Sequence, residues 1–311
     1  MRVLRRTGAV WIYGLLLLLL VFAAQTRQAA QESLQLCAAA LLPALFPFSV
    51  AVQLLQSTGA DRPLARLLRR PLGWLGLPAG AAAPILCGLI GGYPIGLQAL
   101  AGAVQAGQLR WHEAIRVSQI CNNAGPAFVL GAAGLSLFGS ARAGLSLWLV
   151  QLIAFLLSAI LLRAFAAGHP AEVQSPPRVE RPASAPSLTR ALPEAVRSSA
   201  LAMLSVCGFV LFFGSLRALL QQLPLPDGLL AVLSAASELA GGLFSLAVFA
   251  PAPRFVLSSI LLSWGGLCVH FQGAAFLQAA GLPLRPYLSG KLLQSACAGL
   301  IASMYVWLFR F

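Results

Sequence analysis

Apolar runs of membrane-crossing length, separated by short gaps that carry arginine, make up nearly the whole chain. A helix needs about 20 predominantly apolar residues to cross a bilayer. The pattern predicts one such helix over 8–24, behind Arg2, Arg5 and Arg6, and another over 34–55 that Pro43 and Pro47 should kink. The run 8–24 also has a signal-peptide reading, because Phe22-Ala23-Ala24 resembles a small-residue cleavage site, and either fate leaves Gln25 outside. Over 62–70, Arg62, Arg66, Arg69 and Arg70 interleave with Leu64, Leu67 and Leu68, the pattern of a short amphipathic helix on the inner leaflet.

The run 79–104 is long enough to cross, yet Gly91, Gly92, Pro94 and Gly96 interrupt its middle and basic residues flank both ends. A hairpin that enters and leaves on the cytoplasmic side fits both facts; one kinked spanning helix is the alternative. The run 115–138 then spans outward carrying Asn122-Asn123 and Gly125-Pro126, and 145–162 returns. Proline has no N–H to donate, and an unpaired backbone group in hydrocarbon is costly. Broken backbone therefore persists only where it packs in protein or lines a wet cavity, read here as a solute site.

Residues 168–192 hold five prolines with Arg178, Arg181 and Arg190 and little that is apolar in sequence, so they read as a cytoplasmic linker. Beyond it the series recurs: a helix over 195–219, a second Gly-broken run over 228–249 containing Gly241-Gly242, a helix over 256–277, and a last one over 292–309. The predicted organisation is a first helix and outer loop (1–33), a first membrane repeat (34–167), the linker (168–192) and a second, inverted repeat (193–311). The expected fold is all-α: a polytopic integral membrane protein with inverted-topology repeats and broken or re-entrant helices, its solute site at half-depth where the repeats meet.

Composition agrees. Of 311 residues 59% are hydrophobic and 9% charged, with mean hydropathy +0.83, outside the range of soluble domains. The net charge of +13 raises nucleic-acid binding. The threading instead puts all basic residues except Arg27, Arg142, Arg217, Arg254 and Arg310 on the cytoplasmic side, as the positive-inside rule requires, with the N-terminus cytoplasmic. No basic face interleaved with aromatics appears, so the expected partners are the lipid bilayer and a small-molecule solute, not nucleic acid. Association into a homo-oligomer stays open. All six cysteines lie in apolar runs without a C-x-x-C pair, the three histidines are scattered, and no nucleophile triad or phosphate loop appears. No enzyme activity, metal or cofactor is expected.

Glu238 is the one acidic residue inside a predicted membrane segment, and such residues mark ion or proton pathways, although it would also serve as a simple pairing group near the outer interface. Asn122 and Asn123 offer amide donors and acceptors to a polar solute, or to neighbouring helices. On a regular helix the two would diverge, so both reach one site only if the backbone unwinds. His270 and Gln272 share a span with Gly265-Gly266, and His270 reads equally as a buried hydrogen-bonding group or a relay.

GGYPIG (91–96), CNNAGPAFVLG (121–131), SELAGG (237–242) and GGLCVHFQ (265–272) together resemble the sporulation integral membrane proteins of the YlbJ type, within the nucleoside-recognition, or Gate-domain, group. The likeness runs from about residue 34 onward and misses the linker. It implies a multi-pass protein of the outer forespore membrane that moves dipicolinic acid during sporulation, with a fold related to concentrative nucleoside transporters. It places the family's motif positions on Gly92, Pro94, Asn122, Asn123, Glu238 and His270; Gly91, Gly241, Gly242 and Gln272 join them as candidate solute contacts. The alternatives are a nucleoside-type solute, or a non-transporting gate or assembly component.

Overall fold

The computed structural model describes the backbone of residues 2–166 and 187–309, with side chains over 10–165 and 187–309. Most of the predicted linker, with Arg178, Arg181 and His169, lies outside the described residues, as do Arg310 and the side chains of Arg2, Arg5 and Arg6.

Every regular element among the described residues is helical. Helix α1 is Arg2–Val21 and α2 is Ala23–Ser57. The outer loop expected within 25–33 is therefore helix. Its Gln, Ala, Arg and Glu residues are good helix formers. Thr26, Ala29 and Ser33 are buried, and Ser33 packs onto Gly214, which has no side chain to hold it off. A π turn over Cys37–Leu41 widens α2 just ahead of Pro43, where the proline ring crowds the carbonyl one turn earlier.

Helix α3, Asp61–Trp74, is the expected amphipathic helix: Arg62, Arg66, Arg69 and Arg70 are exposed while Leu64, Leu68 and Leu72 join the core. The chain then turns through 108° into Ala79–Ile90. The broken run follows as α4, Ala82–Ile90, and α5, Ile95–Gln105, which fold back on each other across residues 91–94. Next come α6, Trp111–Ser118, an unwound stretch over 119–125, and α7, Pro126–Leu137. Helix α8, Ala141–Ala166, closes this half.

After the linker the same order returns. Helix α9, Leu188–Leu220, precedes a second broken pair, α10, Asp227–Ser237, and α11, Leu239–Val248. A second interrupted span follows, α12, Pro251–Trp264, and α13, Gly266–Ala279, parted at Gly265. The last helix is α14, Leu284–Phe309. The first long helices of the two halves, α2 and α9, pack on each other, and so do the last, α8 and α14. Both main hydrophobic clusters draw on both halves, one joining Leu97, Val117 and Phe155 to Tyr287, the other Val129 and Leu147 to Phe255 and Ala298.

Among the described residues five helices are long and apolar enough to cross a membrane: Ala23–Ser57, Ala141–Phe165, Leu188–Leu220, Pro251–Ala279 and Leu284–Phe309. The protein is a polytopic all-α membrane protein.

Candidate functional site

The breaks in the two folded-back pairs meet at one cavity of about 630 Å³. From the first half Gly91, Gly92 and Tyr93 line it, and from the second Glu238, Leu239 and Ala240. Gln272 adds an amide, whereas Phe48, Phe128 and Phe244 make the walls largely apolar. The volume suits a small organic molecule.

Each break has a local cause. Gly92 has φ +83°, and a Cβ there would lie 2.8 Å from the backbone nitrogen of Gly125, so only glycine lets the hairpin tip rest on the unwound stretch. Tyr93 Oη donates to the Leu262 carbonyl at 2.6 Å and ties this tip to the second half. Glu238 has extended backbone (φ −137°, ψ 108°), which ends α10; its carboxylate then accepts the N–H of Ala240 and of Gly241, both at 2.7 Å, and starts the next turn. Arg217 comes to the other side of this turn. A Cβ on Gly241 would lie 3.1 Å from both the Arg217 guanidinium and a Glu238 oxygen, and Arg217 Nε has no hydrogen-bond partner.

The unwound stretch is gripped from two sides. A Cβ on Gly88 or on Gly96 would collide with the carbonyl oxygen of Cys121, so these two glycines let 119–125 cross the hairpin at backbone contact. On the opposite side α14 supplies polar groups. Tyr287 Oη accepts from Asn122 Nδ2 at 3.0 Å and meets His270 Nδ1 at 3.1 Å. Lys291 Nζ donates to the Asn122 carbonyl at 2.7 Å and to Gln294 Oε1 at 2.8 Å, and Gln294 Nε2 donates to Asn123 Oδ1 at 2.7 Å. From α8, Gln151 Nε2 donates to the Ala124 carbonyl at 3.0 Å.

The sequence candidates thus divide. Gly91, Gly92, Glu238 and Gln272 line the cavity. Asn122, Asn123 and His270 are buried in the network behind it, and Pro94, Gly241 and Gly242 support the two tips without lining it. The backbone at Asn122-Asn123 is unwound, as joint action of the pair requires. Two basic residues of the threading pack against the site. Lys291, counted with the cytoplasmic charges, is fully buried against Asn122, and Arg217, counted outside, points back toward the Glu238 turn. Tyr93, Gln151, Tyr287 and Gln294 were not singled out. The available signal was the spacing of Tyr287, Lys291 and Gln294, which shares one helical face. No group of three metal-ligating side chains occurs among the described residues.

This architecture defines a multi-pass membrane protein with paired broken helices around a central cavity. The chain is similar to the sporulation integral membrane protein YlbJ of Bacillus subtilis (strain 168), 23% identical over 317 residues that cover 90% of this chain and 77% of that protein. It is a relative of the YlbJ-type sporulation integral membrane proteins, the group its four motifs resemble. No family model matches the chain, and no solved structure matches it.

Proposed function

We propose that this protein is a permease for a small planar carboxylate, with dipicolinic acid moved during spore formation as the leading solute. The observation that carries the reading is the convergence of both hairpin tips, Gly91-Gly92 and Glu238-Ala240, on one cavity. Broken segments in corresponding positions of two repeats are where secondary transporters bind their solutes. The apolar walls suit the faces of an aromatic ring, and Gln272 and Glu238 supply the few polar groups that orient it. A carboxylate solute beside Glu238 needs relief of like-charge repulsion; a proton carried on Glu238 supplies it, and Arg217 behind the turn reduces what is left. The relation to YlbJ, whose name places that protein in sporulation, supports the physiological setting.

Flux of labelled dipicolinate into proteoliposomes tests this. Uptake above empty liposomes, lost in Glu238→Gln at equal folded protein, is the expected result. Nucleoside uptake without dipicolinate uptake would move the assignment to a nucleoside-type solute. Wild-type flux equal to empty liposomes for both would replace transport with a gate or assembly role.

A further inference from the structure

Lys291 is 0% exposed, in a helix apolar enough to cross a membrane. A buried ammonium normally requires a carboxylate partner or faces a water-filled space. Lys291 does not line the cavity described above. The ion pair among the described residues is Arg197 with Glu194, on the surface, and no acidic group among the described residues lies within salt-bridge distance of Lys291. Neutral oxygens hold it instead: the backbone carbonyl of Asn122 at 2.7 Å and Gln294 Oε1 at 2.8 Å. The carbonyl belongs to unwound backbone just beyond the C-terminal end of α6, where aligned peptide dipoles leave partial negative charge. Asn122 Oδ1, also buried, has no hydrogen-bond partner and adds an unused acceptor to the same residue. Unwound carbonyls and half-helix C-termini are the groups with which broken membrane helices hold a monovalent coupling cation.

We propose that the oxygens around Asn122 form a monovalent-cation site filled from within, the Lys291 amino group standing where a free ion would otherwise bind. The charge is tethered by its own side chain. The unwound stretch therefore keeps its shape without sodium, and flux through the cavity does not depend on a sodium gradient. This last clause rests on the permease reading; the site itself does not.

Thermal unfolding of the purified full chain in detergent, at equal ionic strength in sodium, potassium or choline chloride, tests the site without any flux. Wild type should unfold at one temperature in all three salts. Lys291→Ala should lose roughly 5 °C or more and recover at least half of that loss in ethylammonium chloride, which can enter the vacated space, but not in choline chloride. Lys291→Met keeps the stem and removes the charge; it should lose stability without recovery in ethylammonium. A wild type stabilised by sodium alone, a Lys291→Met protein as stable as wild type, or a Lys291→Ala protein that ethylammonium leaves unchanged would each overturn the proposal. If Lys291→Ala accumulates only when ethylammonium is present during purification, the proposal is supported; if it never accumulates, the Lys291→Met comparison decides. These stability results with no wild-type flux would remove the permease reading and leave the cation site standing.

Discussion

Tyr93 Oη donates to the Leu262 carbonyl across 2.6 Å, joining the tip of the first hairpin to the last turn of α12. The two residues come from different halves, and the bond sits beside the cavity that Tyr93 lines. It fixes the spacing of the two breaks where a solute would have to pass. Tyr93→Phe keeps the ring and removes one hydrogen bond, so the expected loss is about 1–2 kcal/mol with the Leu262 carbonyl left unpaired. Unfolding in detergent measures it; a variant as stable as wild type would show that the halves are held by packing alone.

Backbone crossing at the hairpin makes a sharper prediction. In Gly88→Ala the new methyl collides with the Cys121 carbonyl, whereas at Gly208, in the exposed face of α9, a Cβ meets nothing within 4 Å. Gly208→Ala should be neutral or stabilising by up to about 1 kcal/mol, the helix-propensity difference. Gly88→Ala should lose roughly 1–3 kcal/mol, because backbone on both sides must shift. Equal effects in the two variants would mean that 119–125 does not lie against the hairpin.

Much of this was readable in advance, and the reason is physical. Glycine and proline in a long apolar run change the backbone itself, so Gly91-Gly92-Tyr93-Pro94 and Gly125-Pro126 announce their breaks without reference to any neighbour. The recurrence of the series after the linker followed from the same punctuation. Side-chain partners were harder. Lys291 follows Arg285 at the start of a run, and charge counting assigns such a residue to the loop; only the arrival of Asn122 from 169 positions away in sequence makes it a buried donor. The polar run within 25–33 reads as a loop by hydropathy, yet Gly214 on α9 provides the groove that keeps it helical.

Glu238 separates structure from function through a graded pair of variants. Its carboxylate accepts from two backbone N–H groups, and glutamine retains a single acceptor oxygen for them, while alanine retains none. Glu238→Ala should lose about 1–2 kcal/mol, the usual value of such a cap, and Glu238→Gln less. If Glu238 also carries the proton that lets an anionic solute approach, flux should fall by an order of magnitude or more in Glu238→Gln despite its smaller loss of stability. Flux that merely tracks stability across both variants would reduce Glu238 to a helix cap.

Orientation is the remaining link between the repeated series and alternating access, since two halves must run oppositely through the membrane for their hairpins to open on opposite faces. The turn after α9 carries Leu223, half exposed, at the end predicted to face outward. With the native cysteines replaced, Leu223→Cys should react with a membrane-impermeant maleimide on intact cells. Ser184→Cys, in the linker and outside the described residues, should react only after permeabilisation. Labelling of both from one side would make α9 fail to cross, put both hairpins on the same face and leave the cavity with a single entrance, a geometry that cannot alternate.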